Sequence, residues 1–136
     1  MNEAKITSLI DRLGSDIIAN FSETSEGTLL VARVYDKDVM SLGVYVGHKD
    51  KITGDLDVYE TFSDTVLELW RCGPVAKQWE EMTLMVVDRK FSVTFTYPED
   101  IDHDEFTTER RWRVVISHLG DKPIRYRPMH DDHRQL

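Results

Sequence analysis

The chain has 136 residues, 40% of them hydrophobic and 31% charged, with 25 acids against 17 bases and a net charge of −8. That length and balance bound it to a single folded domain, residues 1–136, with a real core, and exclude general disorder. Its negative field repels nucleic-acid phosphates and anionic membranes, so direct nucleic-acid or membrane binding is not expected, whereas a basic protein partner is. Cys72 stands alone, which rules out an internal disulfide and points to a reducing compartment. The opening "MNEAKITSLIDRLG" carries acids and no apolar run of signal type, and no segment approaches the length of a membrane span. A cytoplasmic location is expected.

Ile6, Leu9, Ile10, Leu13, Ile17, Ile18 and Phe21 recur at helical spacing and predict an amphipathic helix, weakened locally by Gly14. "TLLVARVYD" and "VMSLGVYVGHK", joined by "DKD", predict a hairpin, and "LDVYE" a short third strand. "TFSDTVLELWRCG" predicts a helix capped by Thr61 or Ser63 and stopped by Gly73-Pro74. "MTLMVVD" and "FSVTFTY" predict a second hairpin, whose second strand alternates apolar with polar residues. In "TTERRWRVVISHLG", Trp112, Val115, Ile116 and Leu119 mark a helix with a threonine cap and Gly120 at its end. Residues 121–136 read as an extended polar tail. The predicted fold class is α+β: an antiparallel sheet of two hairpins with an N-terminal amphipathic helix, a middle helix and a C-terminal helix.

Between Pro98 and Thr107 lie Glu99, Asp100, Asp102, His103, Asp104 and Glu105. The run lacks the spacing and central glycine of a calcium loop, so the expectation is no metal there. His130 and His133 sit three apart in the tail, which reads as a polar terminus rather than a ligand pair. Cys72 ends a predicted helix beside Arg71; a reactive thiolate prefers a helix N-terminus, so an inert thiol is expected. The chain has no phosphate loop and no nucleophile elbow, and no pair of acids is pinned across a cleft, so neither a catalytic residue nor a cofactor is assigned and an enzyme is not expected. Trp70 and Trp112 are assigned to packing, and Trp79 to a candidate surface anchor beside Tyr59 and Tyr126. Arg110 or Arg111 is expected to pair with the acids that precede it or with those of the middle helix.

Trp79, "MTLMVVDRKFSVTFTY", the acidic run, Phe106 and "ERRWRVVISHLG" follow one another in an order that resembles the YezG-like immunity proteins of bacterial polymorphic toxin and contact-dependent inhibition systems. The resemblance covers residues 79–120, and the rest by layout. The family's hairpin turn usually carries glycine where this chain has Arg89, so another turn type or a longer loop is expected here. The resemblance implies a non-enzymatic antitoxin that binds a cognate toxin domain and blocks it. Nuclease toxins tend to be basic because they grip phosphates, and an acidic inhibitor suits such a target. Two candidate docking surfaces follow. One is Glu99, Asp100, Asp102, Asp104 and Glu105; the other is Asp55, Asp57, Glu60, Asp64 and Glu68, with Trp79 as an aromatic anchor. The alternatives from other classes are an adaptor or regulatory protein-binding domain, and an acid- or metal-dependent hydrolase using the 99–105 acids with His103. The toxin's reaction and the oligomeric state are left open.

Overall fold

The computed structural model describes residues 3–21, 26–73 and 77–128. Helix α1 (Glu3–Asn20) precedes strands β1 (Thr28–Tyr35), β2 (Asp38–Gly47) and β3 (Ile52–Asp55). Helix α2 (Tyr59–Arg71), strands β4 (Glu81–Val87) and β5 (Lys90–Thr96), helix α3 (Thr107–Leu119) and strand β6 (Ile124–Tyr126) follow. The strands form one six-stranded sheet in the order β5-β4-β1-β2-β3-β6. The class is α+β with the three expected helices, but the sheet is mixed rather than antiparallel. Part of the segment expected to be an extended tail becomes β6, which runs parallel to β3 with Ile52 opposite Ile124.

Helices cover both faces of the sheet. Leu30, Ala32 and Val34 of β1 join Leu9, Leu13 and Ile17 of α1 and Phe62, Val66 and Leu69 of α2 in one core. The intervening Leu29 and Val31 meet Val115 and Leu119 of α3 in a second core on the opposite face. Strand residues alternate sides, so a central strand covered on both faces reads as the near-continuous apolar run of β1. β5 sits at the edge, where Phe91, Val93 and Phe95 pack toward α1 while Ser92 and Thr94 face solvent. Gly14 has a packing reason: a β-carbon there would lie 2.5 Å from the Phe91 ring.

Several local expectations are corrected. The third strand is Ile52–Asp55, not "LDVYE", because Asp55 Oδ1 accepts the Asp57 N–H at 2.9 Å and turns the chain out of the sheet. α2 starts at Tyr59, earlier than expected, and its first turn closes from Phe62 N–H to Val58 O; no side chain caps it, and Ser63 is buried inside it. α3 likewise has Phe106 at its N-cap and no threonine cap, with both threonines already helical, whereas Gly120 ends it at φ 96° as expected. The turn after β4 is not lengthened, and Arg89 itself takes the positive φ that glycine usually supplies. Asp88 and Arg89 both take positive φ (51° and 62°), the two-residue turn that suits a hairpin, and Asp36 and Lys37 do the same between β1 and β2. Trp112, assigned above to the core, is 54% exposed. Val115 and Leu119 point α3 at the sheet, and the inward position one turn before Val115 is taken by an arginine instead.

Candidate partner-binding site

The acidic run bridges β5 and α3. Pro98–Asp100 form a single turn of 3-10 helix, and Ile101 is buried behind it, anchoring the segment to the body. Asp102 Oδ1 accepts the Asp104 N–H at 3.0 Å, and the Glu105 N–H reaches Asp102 O at 3.2 Å. Two side chains fasten the far half. Glu105 takes a two-pronged contact from Arg113, Nε to Oε2 at 3.2 Å and Nη2 to Oε1 at 2.5 Å. The Arg113 guanidinium holds the Glu105 carboxyl below the usual carboxylate range, and Glu105 raises Arg113 in return. His103 Nε2 lies 2.8 Å from Glu80 Oε1. A carboxylate only accepts, so this ring nitrogen carries the proton.

Glu80 belongs to a set of buried charges beneath the N-terminal end of α3. Arg33 donates to Glu80 Oε2 from Nε at 2.9 Å and Nη2 at 2.6 Å. Arg110 donates to both oxygens of Glu81 at 2.9 Å. Arg111 Nη1 reaches Ser41 Oγ at 2.6 Å, and its guanidinium neighbours Tyr45, whose phenol is pushed up mainly by burial and then by the Tyr126 hydroxyl. The arginines therefore do not pair as expected. Arg110 turns inward to Glu81 and Arg111 to β2, while Arg113 is the one that holds the acidic run. A single arginine in the apolar run of β1 and the glutamate pair opening β4 were the signals, because a charge placed inside a buried strand calls for a partner.

What the run presents to solvent is acidic and aromatic together. Asp100, Asp102 and Asp104 are exposed and make no salt bridge within 4 Å among the described residues, although Asp102 lies near enough to Arg113 to raise it, while Glu99 has a loose contact with Lys77 at 3.8 Å. Phe106 closes the run and is 74% exposed. Tyr35, at the β1–β2 turn and 55% exposed, leans on His103 with ring centroids 6.3 Å apart. Trp112 follows on α3.

The second candidate surface is placed differently. Glu60, Asp64 and Glu68 ride on α2, which packs on the sheet face opposite α3. Glu68 pairs with Lys5 at 3.3 Å, and Asp55 meets Arg127 at 3.5 Å while holding its own turn; Asp57 is exposed. Tyr59 and Tyr126 are exposed. Trp79 belongs to neither acidic surface and meets solvent only at the wall of the cleft beside the run. It is 5% exposed, packs on the Phe95 ring at 5.5 Å, and its carbonyl accepts the Trp70 indole N–H. As the residue leading into β4, it is drawn into the core between α2 and the sheet, so it is corrected from partner anchor to packing residue.

A shallow cleft of about 520 Å³ opens beside the run, lined by Tyr35, Trp70, Gln78, Glu80 and His103 among others. A carboxylate that orients an imidazole is how general bases are held. Here Arg33 and His103 together occupy the Glu80 carboxylate, and no serine, threonine or cysteine stands among the described lining residues. The pair fastens the run to the sheet. Among the described residues, no group of three or more His, Cys, Asp or Glu could hold a metal ion, and no helix is long and apolar enough to cross a membrane. His130 and His133 lie outside the described residues. Cys72 is buried at the end of α2. Searches against protein-family models and against curated proteins find no match.

Proposed function

We propose that the chain is an immunity protein that binds a cognate toxin domain, a basic nuclease, and blocks it by occlusion without catalysing a reaction. The reading starts from the resemblance of residues 79–120 to YezG-like immunity proteins. One observation carries it furthest: the acids at 99–104 stand beside exposed aromatic rings, with Tyr35 against His103 and Phe106 directly after the run. Carboxylates alone would describe an ordinary solvated loop. Rings such as Phe106 bring the buried apolar area that supplies most binding energy, while the acids steer a basic partner and fix its orientation. The buried Ile101, the His103–Glu80 contact and the Glu105–Arg113 pair hold this surface in shape before any partner arrives, which lowers the ordering cost of binding.

The experiment is affinity capture with the tagged chain from source cells, identification of the bound toxin domain by intact mass, and affinity measurement over a salt series. Asp100→Lys, Asp102→Lys and Asp104→Lys together are expected to weaken binding at least about 100-fold and to flatten its salt dependence. Unchanged affinity and an unchanged salt slope would move the interface elsewhere, first to the α2 acids.

A further inference from the structure

The two outer strands of the sheet are built differently. β6 has three residues, with Pro123 before it and Pro128 beyond it, a short and blunted edge of the kind that resists further pairing. β5 has seven residues, and its register against β4 runs unbroken from Glu81 opposite Thr96 to Val87 opposite Lys90, with no proline and no bulge. By contrast, β1 and β2 carry an irregularity at Arg33/Val34. Nothing within β5 except Lys90 is charged.

The hairpin turn fixes which backbone groups β5 offers. Asp88 and Arg89 form a two-residue turn of the left-handed kind, so the flanking Val87 and Lys90 are a mutually hydrogen-bonded pair. Alternation then directs the N–H and C=O groups of Lys90, Ser92, Thr94 and Thr96 to β4. Those of Phe91, Val93 and Phe95 point away from the sheet. The sequence around Val93 reads Phe-Ser-Val-Thr-Phe, nearly the same in both directions. A second copy laid antiparallel, with its Val93 opposite this Val93, would set Phe91 against Phe95 and Ser92 against Thr94, each twice by symmetry. All three outward-facing residues would find hydrogen-bonding partners. Aromatic would meet aromatic and hydroxyl would meet hydroxyl, the cross-strand pairs that stabilise antiparallel sheets.

We propose that β5 is the seam of a homodimer, in which two chains join their sheets edge to edge in antiparallel register centred on Val93. The same register lays Lys90 of each copy opposite Thr96 of the other, close to the Glu99 and Asp100 that follow. That contact offsets part of the repulsion between two chains of charge −8. The occupant is a second copy rather than a foreign strand, because the symmetry about Val93 is complementary to itself. A register shifted by two residues would oppose Phe91 or Phe95 to Val93 and lose the symmetric Phe91–Phe95 pairs. The seam reaches Glu99 and Asp100 of the acidic surface only at its ends and is centred on Val93, so substitutions at Ser92 and Thr94 test it separately from the toxin-binding reading.

The test is the solution mass of the full chain by sedimentation velocity across a concentration series. Wild type is expected at twice 15.9 kDa. Ser92 and Thr94 are exposed, so paired charges there leave the core intact. Ser92→Lys with Thr94→Lys, and separately Ser92→Glu with Thr94→Glu, should each give monomers through like charges facing across the seam. An equimolar mixture of the two should recover the dimer. The register itself is read by Ser92→Cys with Thr94→Cys. These positions would form a non-hydrogen-bonded pair with Cα atoms about 4.5 Å apart, within disulfide reach, so mild oxidation should link two chains, whereas Thr94→Cys alone should not. A wild-type chain that stays monomeric throughout the series, charge variants that remain dimers, or a cysteine pair that fails to link would each overturn the proposal.

Discussion

Arg33 and Glu80 place two charges under α3, both nearly sealed from water at 5% and 4% exposure. Removing one partner leaves the other buried and unpaired. Glu80→Ala should therefore destabilise the fold by about 3–5 kcal/mol, read by urea denaturation, while replacing both residues with methionine should recover most of the loss. A cost below about 1 kcal/mol for the single change would mean that water reaches Arg33. Glu105 sits at the other extreme, at the surface against Arg113. Its folded value is lowered, so its contribution is present above the usual carboxylate range and disappears as pH falls through the lowered value. An NMR titration should place the Glu105 midpoint below an ordinary glutamate's, and Arg113→Ala should move it back up. An unmoved midpoint would show that the pair does not persist in solution. Trp112 gives the third residue-scale prediction. Because its ring is more than half exposed, Trp112→Ala should cost only about 1 kcal/mol of stability; a loss of 3 kcal/mol or more in the same denaturation experiment would return it to the core.

At the scale of elements, the β4–β5 turn holds Arg89 at φ 62°, a conformation that costs an ordinary L-residue about 1–2 kcal/mol. Arg89→Gly should raise stability by roughly 0.5–1 kcal/mol, since glycine removes that strain but loosens the unfolded chain. A lower melting temperature would show that the arginine side chain contributes more than its backbone strain costs. The same turn shows where sequence reading succeeds and where it stops. The spacing in α1 and the alternation in β5 were legible because burial writes a period into the residues. The turn was misjudged because glycine at positive φ is a preference, and a tight hairpin can impose that geometry on arginine. β6 was not visible because a three-residue strand within the four residues between Pro123 and Pro128 carries no period, and its pairing depends on β3, far away in sequence. α3 was found, but its inward face was misassigned. Periodicity shows that a helix has a face and does not say that an arginine occupies part of it. Trp79 was misplaced for a related reason: a ring just before a strand looks exposed until the neighbouring helix α2 is docked against it.

For the whole molecule, the two faces of the sheet divide the work. α1 and α2 seal one core with ordinary apolar packing. The α3 face combines a smaller apolar cluster with buried ion pairs, and the acidic run is tied to that charged end through His103 and Glu80. Of the two acidic surfaces legible in the sequence, the run at 99–105 is the one tied to the buried ion pairs, with Tyr35 and Phe106 exposed beside it. In the second set of acids, Glu68 of α2 already pairs with Lys5, and Asp55 of β3 with Arg127. Under the proposed function, the surface at 99–106 inhibits a basic toxin domain by covering it. The direct measurement is a titration of the purified chain into the captured toxin domain, with residual toxin activity as the readout. It should be run for wild type and for Asp102→Lys combined with Asp104→Lys and Phe106→Ala. The account predicts complete inhibition at one chain per toxin domain by wild type, and a loss of at least about 100-fold in potency for the variant with an unchanged melting temperature. Equal potency of the variant, or a toxin left fully active by excess wild-type chain, would contradict it.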